Sequence, residues 1–96
     1  MEFSKEEMKK GNQLASYSAR HFTRPDLFEA EVLYNIEKRC EGLPHCPTQL
    51  LKGPNKAAAG SFAAKELKRM EAEGKIKMVP GPTGVLNYVA AVNKED

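Results

Sequence analysis

The clearest hydrophobic pattern in the chain lies between residues 57 and 92. Through its first part, small or apolar residues recur at helical spacing, at positions 59, 63, 67 and 70. Gly74 then predicts the end of this long helix, because glycine readily adopts the left-handed backbone that closes helices. The period next changes to alternation, which predicts a strand with Ile76 and Met78 on its buried face and lysines on the other.

A turn and a second strand complete this part of the chain. Residues 80–84 read Pro-Gly-Pro-Thr-Gly, and prolines with fixed φ beside glycines that allow positive φ are typical of a tight turn. The apolar residues 85–92 would return as the second strand of a hairpin. The pattern therefore predicts a helix and an antiparallel hairpin that need a further layer to pack on.

A first helix is predicted near the start of the chain, over residues 5–20. Ser4 and Glu7 form a capping-box pair, because the serine can cap a backbone amide of the first turn while the glutamate reaches back. The apolar side of this helix is a narrow stripe of mostly small residues, and such a helix is marginal alone. We therefore expect it to lie on another surface.

A second helix is predicted to begin after Thr23, to carry its apolar pattern over residues 27–41, and to end at Gly42. Thr23 can cap this helix and Pro25 suits its first turn. Most of its apolar residues form one broad face, but Leu27 and Tyr34 fall on the other side. Because each apolar side of a helix packs against another element, we expect the first helix or a second subunit to cover these two residues.

The middle of the chain contains shorter elements. Two prolines within residues 44–47 predict an extended segment, since a residue before proline avoids the helical region. Residues 48–52 predict a helix of one or two turns, and a Gly-Pro pair then separates it from the long helix. The predicted order is two helices, an extended segment, a short helix, a long helix and a hairpin.

This order and its local sequence resemble the winged helix-turn-helix superfamily of DNA-binding proteins. Residues 67–76 are similar to a recognition helix running into the wing, where the recurrent pattern is Leu-x-x-Leu-x-x-x-Gly-x-Ile. This chain has Met70 in place of the second leucine. Thr48, followed by Gln-Leu-Leu, is similar to the start of the second helix in bacterial repressors of this class. The resemblance identifies no subfamily.

The resemblance implies an α+β fold, a winged helix with an extra N-terminal helix. A three-helix core and a two-stranded β-hairpin wing would occupy residues 25–92. Residues 1–24 would hold the additional helix, and residues 93–96 would form a frayed tail. The chain would thus be one small domain with an N-terminal element available for dimerisation.

The resemblance also implies that the chain binds double-stranded DNA, with the long helix in the major groove and the wing beside phosphates. The residues it assigns to this surface are Lys56, Ser61, Lys65 and Lys68 at the groove, Arg69, Lys75 and Lys77 beside phosphates, Gln49 and Lys52 on the short helix, and Thr83 at the wing tip. The exposed helix face is rich in alanine and the wing tip has no basic residue. We therefore expect modest sequence specificity.

The distribution of charge along the chain is more informative about partners than the net charge. The formal net charge is only +2, but residues 52–77 hold seven basic side chains against three acidic ones. Residues 26–43 hold five acidic side chains against two basic ones. Because local charge sets the field that a polyanion meets, the basic segment favours the same surface as the resemblance.

We expect a homodimer that acts as a small transcriptional regulator or accessory factor, because a two-fold DNA site needs two copies of the reading helix. The candidate dimer interface lies on the first helix and on the outer side of the second. Its residues are Met8, Ala15, Phe22, Leu27 and Tyr34.

Two other functions remain open from the sequence. A winged-helix module can bind a protein partner without binding DNA, since small residues on an exposed helix also permit close helix packing. RNA binding is a third hypothesis, although the basic face has no aromatic residue on which bases could stack. Alanine substitutions of the basic residues on the long helix would distinguish these hypotheses.

Catalytic and metal-dependent functions are not expected. His21, Cys40, His45 and Cys46 lie close enough in sequence to suggest zinc, but their spacing fits none of the usual zinc sites. No glycine-rich phosphate loop or paired carboxylates are present. We therefore expect no enzyme activity, no cofactor, no metal and no small-molecule substrate.

Composition sets the remaining expectations. The chain is 41% hydrophobic and 29% charged, which is typical of a globular domain. No apolar run approaches the ~20 residues of a membrane-spanning helix, and the first residues do not resemble a signal peptide. Two cysteines do not form a disulfide framework, so we expect a cytoplasmic protein without a membrane partner.

Overall fold

The computed structural model describes residues 3–47, 56–79 and 87–91. The described chain is α+β, with three α-helices and one two-stranded antiparallel sheet, and its layout is compatible with a winged helix. The elements are helix α1 (Lys5–Leu14), a 3-10 turn (Ala19–Phe22), helix α2 (Pro25–Tyr34) continuing into a π-helical turn (Asn35–Arg39), helix α3 (Lys56–Ala72), strand β1 (Ile76–Val79) and strand β2 (Asn87–Ala90).

Helix α1 begins as predicted but ends earlier. The Ser4 amide donates to Glu7 Oε1 at 2.8 Å and the Glu7 amide donates to Ser4 Oγ at 3.1 Å, which confirms the capping box. The predicted end at residue 20 is wrong, because the chain is extended after Leu14. The buried Asn35 side chain accepts from the Ser16 amide at 2.8 Å and donates to the Ser16 carbonyl at 3.0 Å. These tertiary hydrogen bonds replace the ones that a longer helix would make.

Helix α1 lies directly on the extended segment at Pro44. A Cβ built on Gly11 would overlap the carbonyl oxygen of Pro44. Glycine at this position therefore allows the close approach of the two backbones, which a larger residue would prevent.

The start of α2 differs from the prediction by one residue. Arg24 is the N-cap, without a side-chain cap bond, and Pro25 is the first helical residue. Thr23, the predicted cap, has helical dihedral angles and its hydroxyl donates to the Arg20 carbonyl at 2.6 Å. That prediction is wrong because Thr23 closes the preceding 3-10 turn and is not free to cap α2.

The end of α2 follows the prediction more closely. The helix continues into the π-helical turn, in which the Cys40 amide donates to the Asn35 carbonyl at 2.8 Å. Glu41 and Gly42 then have φ angles of 52° and 91°, and the left-handed conformation ends the helix at the predicted glycine.

Helix α3 has the predicted core face and the predicted end. Ala63, Leu67 and Met70 are buried, and Ala59 packs against the same core. Gly74 has φ 80°, and its amide donates to the Glu71 carbonyl at 3.0 Å. The next amide donates to the Met70 carbonyl at 3.0 Å, so the helix closes with a Schellman motif.

The hydrophobic core joins α2, α3 and the hairpin. Phe28 and Phe62 meet edge to face with ring centroids 5.7 Å apart, which fixes α2 against α3. The buried cluster consists of Phe22, Phe28, Val32, Ile36, Ala63, Leu67, Met70, Ile76 and Tyr88. The hairpin is thus part of the same core as the helices.

The two strands pair as an antiparallel hairpin, as predicted, with Ile76 opposite Ala90 and Val79 opposite Asn87. Ile76 is buried, but Met78 is 39% exposed, so the prediction of a buried Met78 is wrong. Val79 and Asn87, which point to the opposite face from Met78, are both buried. Tyr88, which pairs with Met78 and shares its face, is also buried, so residues on both faces are covered at this end of the hairpin.

A third extended segment flanks the hairpin. His45 forms an antiparallel bridge with Tyr88, through an amide of each residue donating to the carbonyl of the other at 3.2 and 2.8 Å. The predicted extended conformation is present at residues 44–46, which line one side of β2, whereas Pro47 already lies in a 3-10 turn. The predicted short helix at residues 48–52, the turn at residues 80–84 and the tail at residues 93–96 lie outside the described residues.

Candidate nucleic-acid interface

The side of α3 turned away from the core is the surface to which the sequence analysis assigned DNA contacts. We call the exposed residues Ala57, Ser61, Ala64, Lys65 and Lys68 the outer face. Within the described chain, neither of its two lysines has a carboxylate at salt-bridge distance. The outer face therefore presents two available cations separated by small side chains.

Arg69 lies at the edge of the outer face and is held by three carboxylates. Its guanidinium donates to Glu66 and Glu73 at 2.9 Å and to Glu29 of α2 at 3.0 Å. The Glu66 side chain is only 7% exposed, so Arg69 neutralises a buried charge. The bond to Glu66, followed by the bond to Glu29, raises the pKa of Arg69. Arg69 therefore has a structural role, since its guanidinium is engaged by these carboxylates.

Lys75, between α3 and β1, is engaged in the same way. Its ammonium lies 2.7 Å from Glu29 Oε2 and 3.1 Å from Glu73 Oε1. The bond to Glu29 is the main cause of the raised pKa of Lys75, and the bond to Lys75 is the main cause of the lowered pKa values of Glu29 and Glu73. We call Glu29, Glu66, Arg69, Glu73 and Lys75 the charge cluster.

The structure brings only part of the predicted DNA surface together. Ser61, Lys65 and Lys68 share the outer face, and Lys77 is exposed on β1. Arg69 and Lys75 belong to the charge cluster. Gln49, Lys52 and Thr83 lie outside the described residues, and so does the side chain of Lys56, the first residue of α3. Of the residues predicted to contact DNA, three described lysines are therefore exposed without a described carboxylate partner: Lys65, Lys68 and Lys77.

The candidate dimer residues fall into two groups. Met8, Ala15 and Phe22 are 6–8% exposed, because the single chain itself buries them. Their expected role as an outward surface is corrected accordingly. Leu27 is partly buried, while Tyr34 is 50% exposed with the Arg39 guanidinium 4.7 Å from its ring centroid. A dimer stays a prediction. Of its five candidate interface residues, only Leu27 and Tyr34 have accessible surface that a second subunit could cover.

The cysteine and histidine residues form a buried hydrogen-bond chain. The Tyr17 hydroxyl lies 2.6 Å from His45 Nε2, and His45 Nδ1 lies 3.5 Å from Cys40 Sγ. Burial lowers the pKa of His45 to about 4 and raises the pKa of Cys40 to about 11. The imidazole and the thiol are thus both neutral near pH 7, unlike the ion pair of an activated cysteine. These hydrogen bonds therefore have a structural role, because they join three segments of the polypeptide in the interior.

Comparisons of the chain with protein-family models, curated proteins and solved structures found no match. The function is therefore inferred from the residues themselves. In the part of the chain that the structure describes, no helix is long and apolar enough to cross a membrane. Nor do the described residues contain a group of three or more His, Cys, Asp or Glu side chains that could hold a metal ion.

Two residues that determine the charge of this surface were missed by the sequence analysis. Glu66 lies three residues after Ala63 and four before Met70, so helical spacing alone places it beside the core stripe. That spacing was the available sign of a paired carboxylate. Glu29 precedes Arg69 by 40 residues, and no local pattern indicates their contact.

Proposed function

We propose that this protein is a winged-helix DNA-binding protein, a small transcriptional regulator or accessory factor of modest sequence specificity. The observation that carries the proposal is the outer face of α3, where Lys65 and Lys68 are exposed without a described carboxylate partner. Lys77 on the hairpin that follows α3 is a further exposed lysine. Lysines placed in this way neutralise phosphates and release their counterions.

The winged-helix assignment is supported by how the hairpin is attached. The β1–β2 hairpin directly follows α3, and Ile76 and Tyr88 belong to the helical core. The extended segment at His45 pairs with β2 on the side away from β1. A hairpin anchored in this way would hold Lys77 at a fixed position relative to α3.

Modest specificity is part of the proposal because the outer face offers few groups that read base edges. Ser61, Lys65 and Lys68 are its only hydrogen-bonding side chains, and the other members are alanines. Arginine, asparagine and glutamine, which pair with base edges in two directions, are absent from this face. Binding would therefore depend mainly on the phosphate backbone and on the arrangement of two copies.

A protein-binding module is the second candidate, and the charge cluster favours it. Arg69 and Lys75 are engaged by carboxylates, which reduces the positive charge available to a nucleic acid. The alanines of the outer face would allow a partner helix to pack closely. RNA is less favoured, because the outer face has no aromatic side chain for stacking.

A cytoplasmic location without cofactor or small-molecule ligand completes the proposal. Cys40 is a buried thiol outside any disulfide, as cysteines of a reducing compartment are. Localising a tagged full-length chain in cells would test this part, and an extracellular chain with oxidised cysteines would contradict it.

Fluorescence anisotropy of a labelled duplex tests DNA binding. Wild type is compared with Lys65→Ala/Lys68→Ala, and with Lys9→Ala/Lys10→Ala, which removes the same charge from exposed positions of α1. With three phosphate contacts, wild-type affinity should fall roughly ten- to a hundredfold between about 50 and about 200 mM salt. The outer-face variant should reduce the slope of log affinity against log salt by about two, and the α1 variant should leave it unchanged.

Arg69 is kept, because its removal would leave Glu66 buried without its cation and confuse binding with stability. A folded wild type that binds no duplex at the lower salt would refute DNA binding and favour the protein-binding module. Sedimentation equilibrium on the same samples tests the homodimer, with Tyr34→Ser expected to weaken it.

A further inference from the structure

The charge cluster contains more negative than positive groups. Three carboxylates surround two cations, so its formal charge is one unit negative. It lies where the resemblance assigned phosphate contacts to Arg69 and Lys75. The predicted DNA surface is therefore not basic at the junction of α3 and the hairpin, although the sequence places Arg69 and Lys75 there.

The members of the cluster differ in how firmly they are held. Arg69 bonds to Glu66, whose side chain is 7% exposed, and this pair belongs to the packed part of α3. Lys75 is 39% exposed, and its two partners Glu29 and Glu73 are 24% and 42% exposed. Solvent, salt and a polyanion can all reach the ion pairs of Lys75, and exposed pairs of this kind are weak enough to exchange partners.

We propose that Glu29 and Glu73 are intramolecular substitutes for phosphate, which hold Lys75 back from polyanions and limit the charge with which the surface of α3 and the hairpin meets DNA. The inference rests on the proposed function for the surface it regulates. A duplex gains a contact with Lys75 only by displacing the two carboxylates, and these carboxylates also repel its phosphates. In the wild type, the salt dependence of binding then reflects the three exposed lysines.

Neutralising the two carboxylates tests this inference. Glu29→Gln/Glu73→Gln keeps the size of both side chains and keeps the Arg69–Glu66 pair. Its matched control is Glu37→Gln/Glu41→Gln, which changes the net charge equally at exposed positions outside the cluster. Anisotropy with the same labelled duplex is measured over a salt series, and thermal unfolding checks that each variant is folded.

The cluster variant should bind the duplex more tightly than its control at low salt. Its slope of log affinity against log salt should be steeper by about 0.9, which is a further loss of about 3.5-fold across a fourfold rise in salt. Adding Lys75→Ala to the cluster variant should abolish the gain. Glu73→Gln alone, at an exposed position, should give a smaller gain in the same direction and remains informative if the double variant unfolds.

The outcomes separate this inference from the proposed function. If wild type binds and the cluster variant binds no more tightly than its control, the inference is overturned and DNA binding stands. If only the cluster variant binds, the inference is supported, and DNA binding by the unmodified chain is refuted. If no variant binds at low salt, both are overturned.

Discussion

At the scale of single residues, His45 connects three separate parts of the chain. Its side chain joins Tyr17 to Cys40, and its backbone pairs with Tyr88. The Cys40 thiol also lies 3.4 Å from the Gly11 carbonyl and donates to it. If Tyr17 donates to Nε2 and Nδ1–H donates to the sulfur, every donor of this buried chain has an acceptor. We therefore infer that neutral His45 carries its proton on Nδ1.

Neutral His45 predicts a loss of stability in mild acid. Its pKa is about 4 in the folded chain, below the ordinary 6.5 that the unfolded chain should show. Between these values the unfolded state binds the extra proton, so stability is fully present above pH 6.5 and is lost as the pH falls toward 4. The free energy of unfolding attributable to His45 should fall by about 2 kcal/mol between about pH 7.5 and about pH 5.

Urea unfolding of wild type and His45→Gln at both pH values measures this effect. The difference between the two proteins removes the contributions of the titratable groups that both proteins share. His45→Gln should be less stable at neutral pH but should show the smaller pH dependence. Equal pH dependence in the two proteins would show that His45 accepts a proton in the folded state as easily as in the unfolded state.

At the scale of elements, neighbouring basic residues of α3 have different roles. Arg69 is paired with a buried carboxylate, whereas Lys68 is exposed. Replacing Arg69 with leucine leaves Glu66 buried without its guanidinium, whereas replacing Lys68 with leucine changes only the outer face. Arg69→Leu should lower the free energy of unfolding by about 1 to 2 kcal/mol, because a buried group loses its partner. Lys68→Leu should stay within about 0.5 kcal/mol of wild type. Chemical denaturation measures both.

The double variant Arg69→Leu/Glu66→Gln provides the control for this comparison. Glutamine at position 66 carries no charge to leave unpaired, so the double variant should recover part of the stability that Arg69→Leu loses. If Arg69→Leu and Lys68→Leu are equally stable, Arg69 is an ordinary surface cation, and its assignment to DNA regains support.

The elements that could be predicted from sequence are those with local causes. The capping box at Ser4, the left-handed glycine at Gly74 and the helical spacing of the α3 core all depend on residues a few positions apart, and the structure has them. The end of α1 could not be predicted, because the chain just after it is held at Ser16 by Asn35, which lies 19 positions further along the sequence. Thr23 was misassigned since its hydroxyl bonds backward along the chain instead of forward.

At the scale of the whole molecule, the acidic and basic segments lie against each other. Glu29 from the acidic segment contacts both Arg69 and Lys75 from the basic one. The counts of charge along the chain therefore overstate the positive field at the candidate site. Sequence reasoning could predict the outer face of α3, since helical periodicity assigns it, but could not predict which cations the fold neutralises.

The attachment of the hairpin leads to the last prediction. Tyr88 is 5% exposed within the common core, and its amide donates to the His45 carbonyl at 2.8 Å. The His45 amide donates back to Tyr88 at 3.2 Å, so β2 is held by β1 on one side and by the extended segment on the other. Because the hairpin cannot leave this position without opening the core, the amides of His45 and Tyr88 should exchange with solvent only through global unfolding.

Hydrogen exchange followed by NMR tests whether the hairpin and the helices form one cooperative unit. His45 and Tyr88 should show the same exchange free energy, equal to that of denaturant unfolding, and both values should fall together as urea is added. The Ser18 amide, whose 2.9 Å hydrogen bond to the His21 ring is exposed to solvent, should exchange much faster through local opening. A lower exchange free energy at Tyr88 than at His45 would mean that the hairpin opens separately. Lys77 would then reach a ligand on a moving element, and the cost of ordering it would weaken binding.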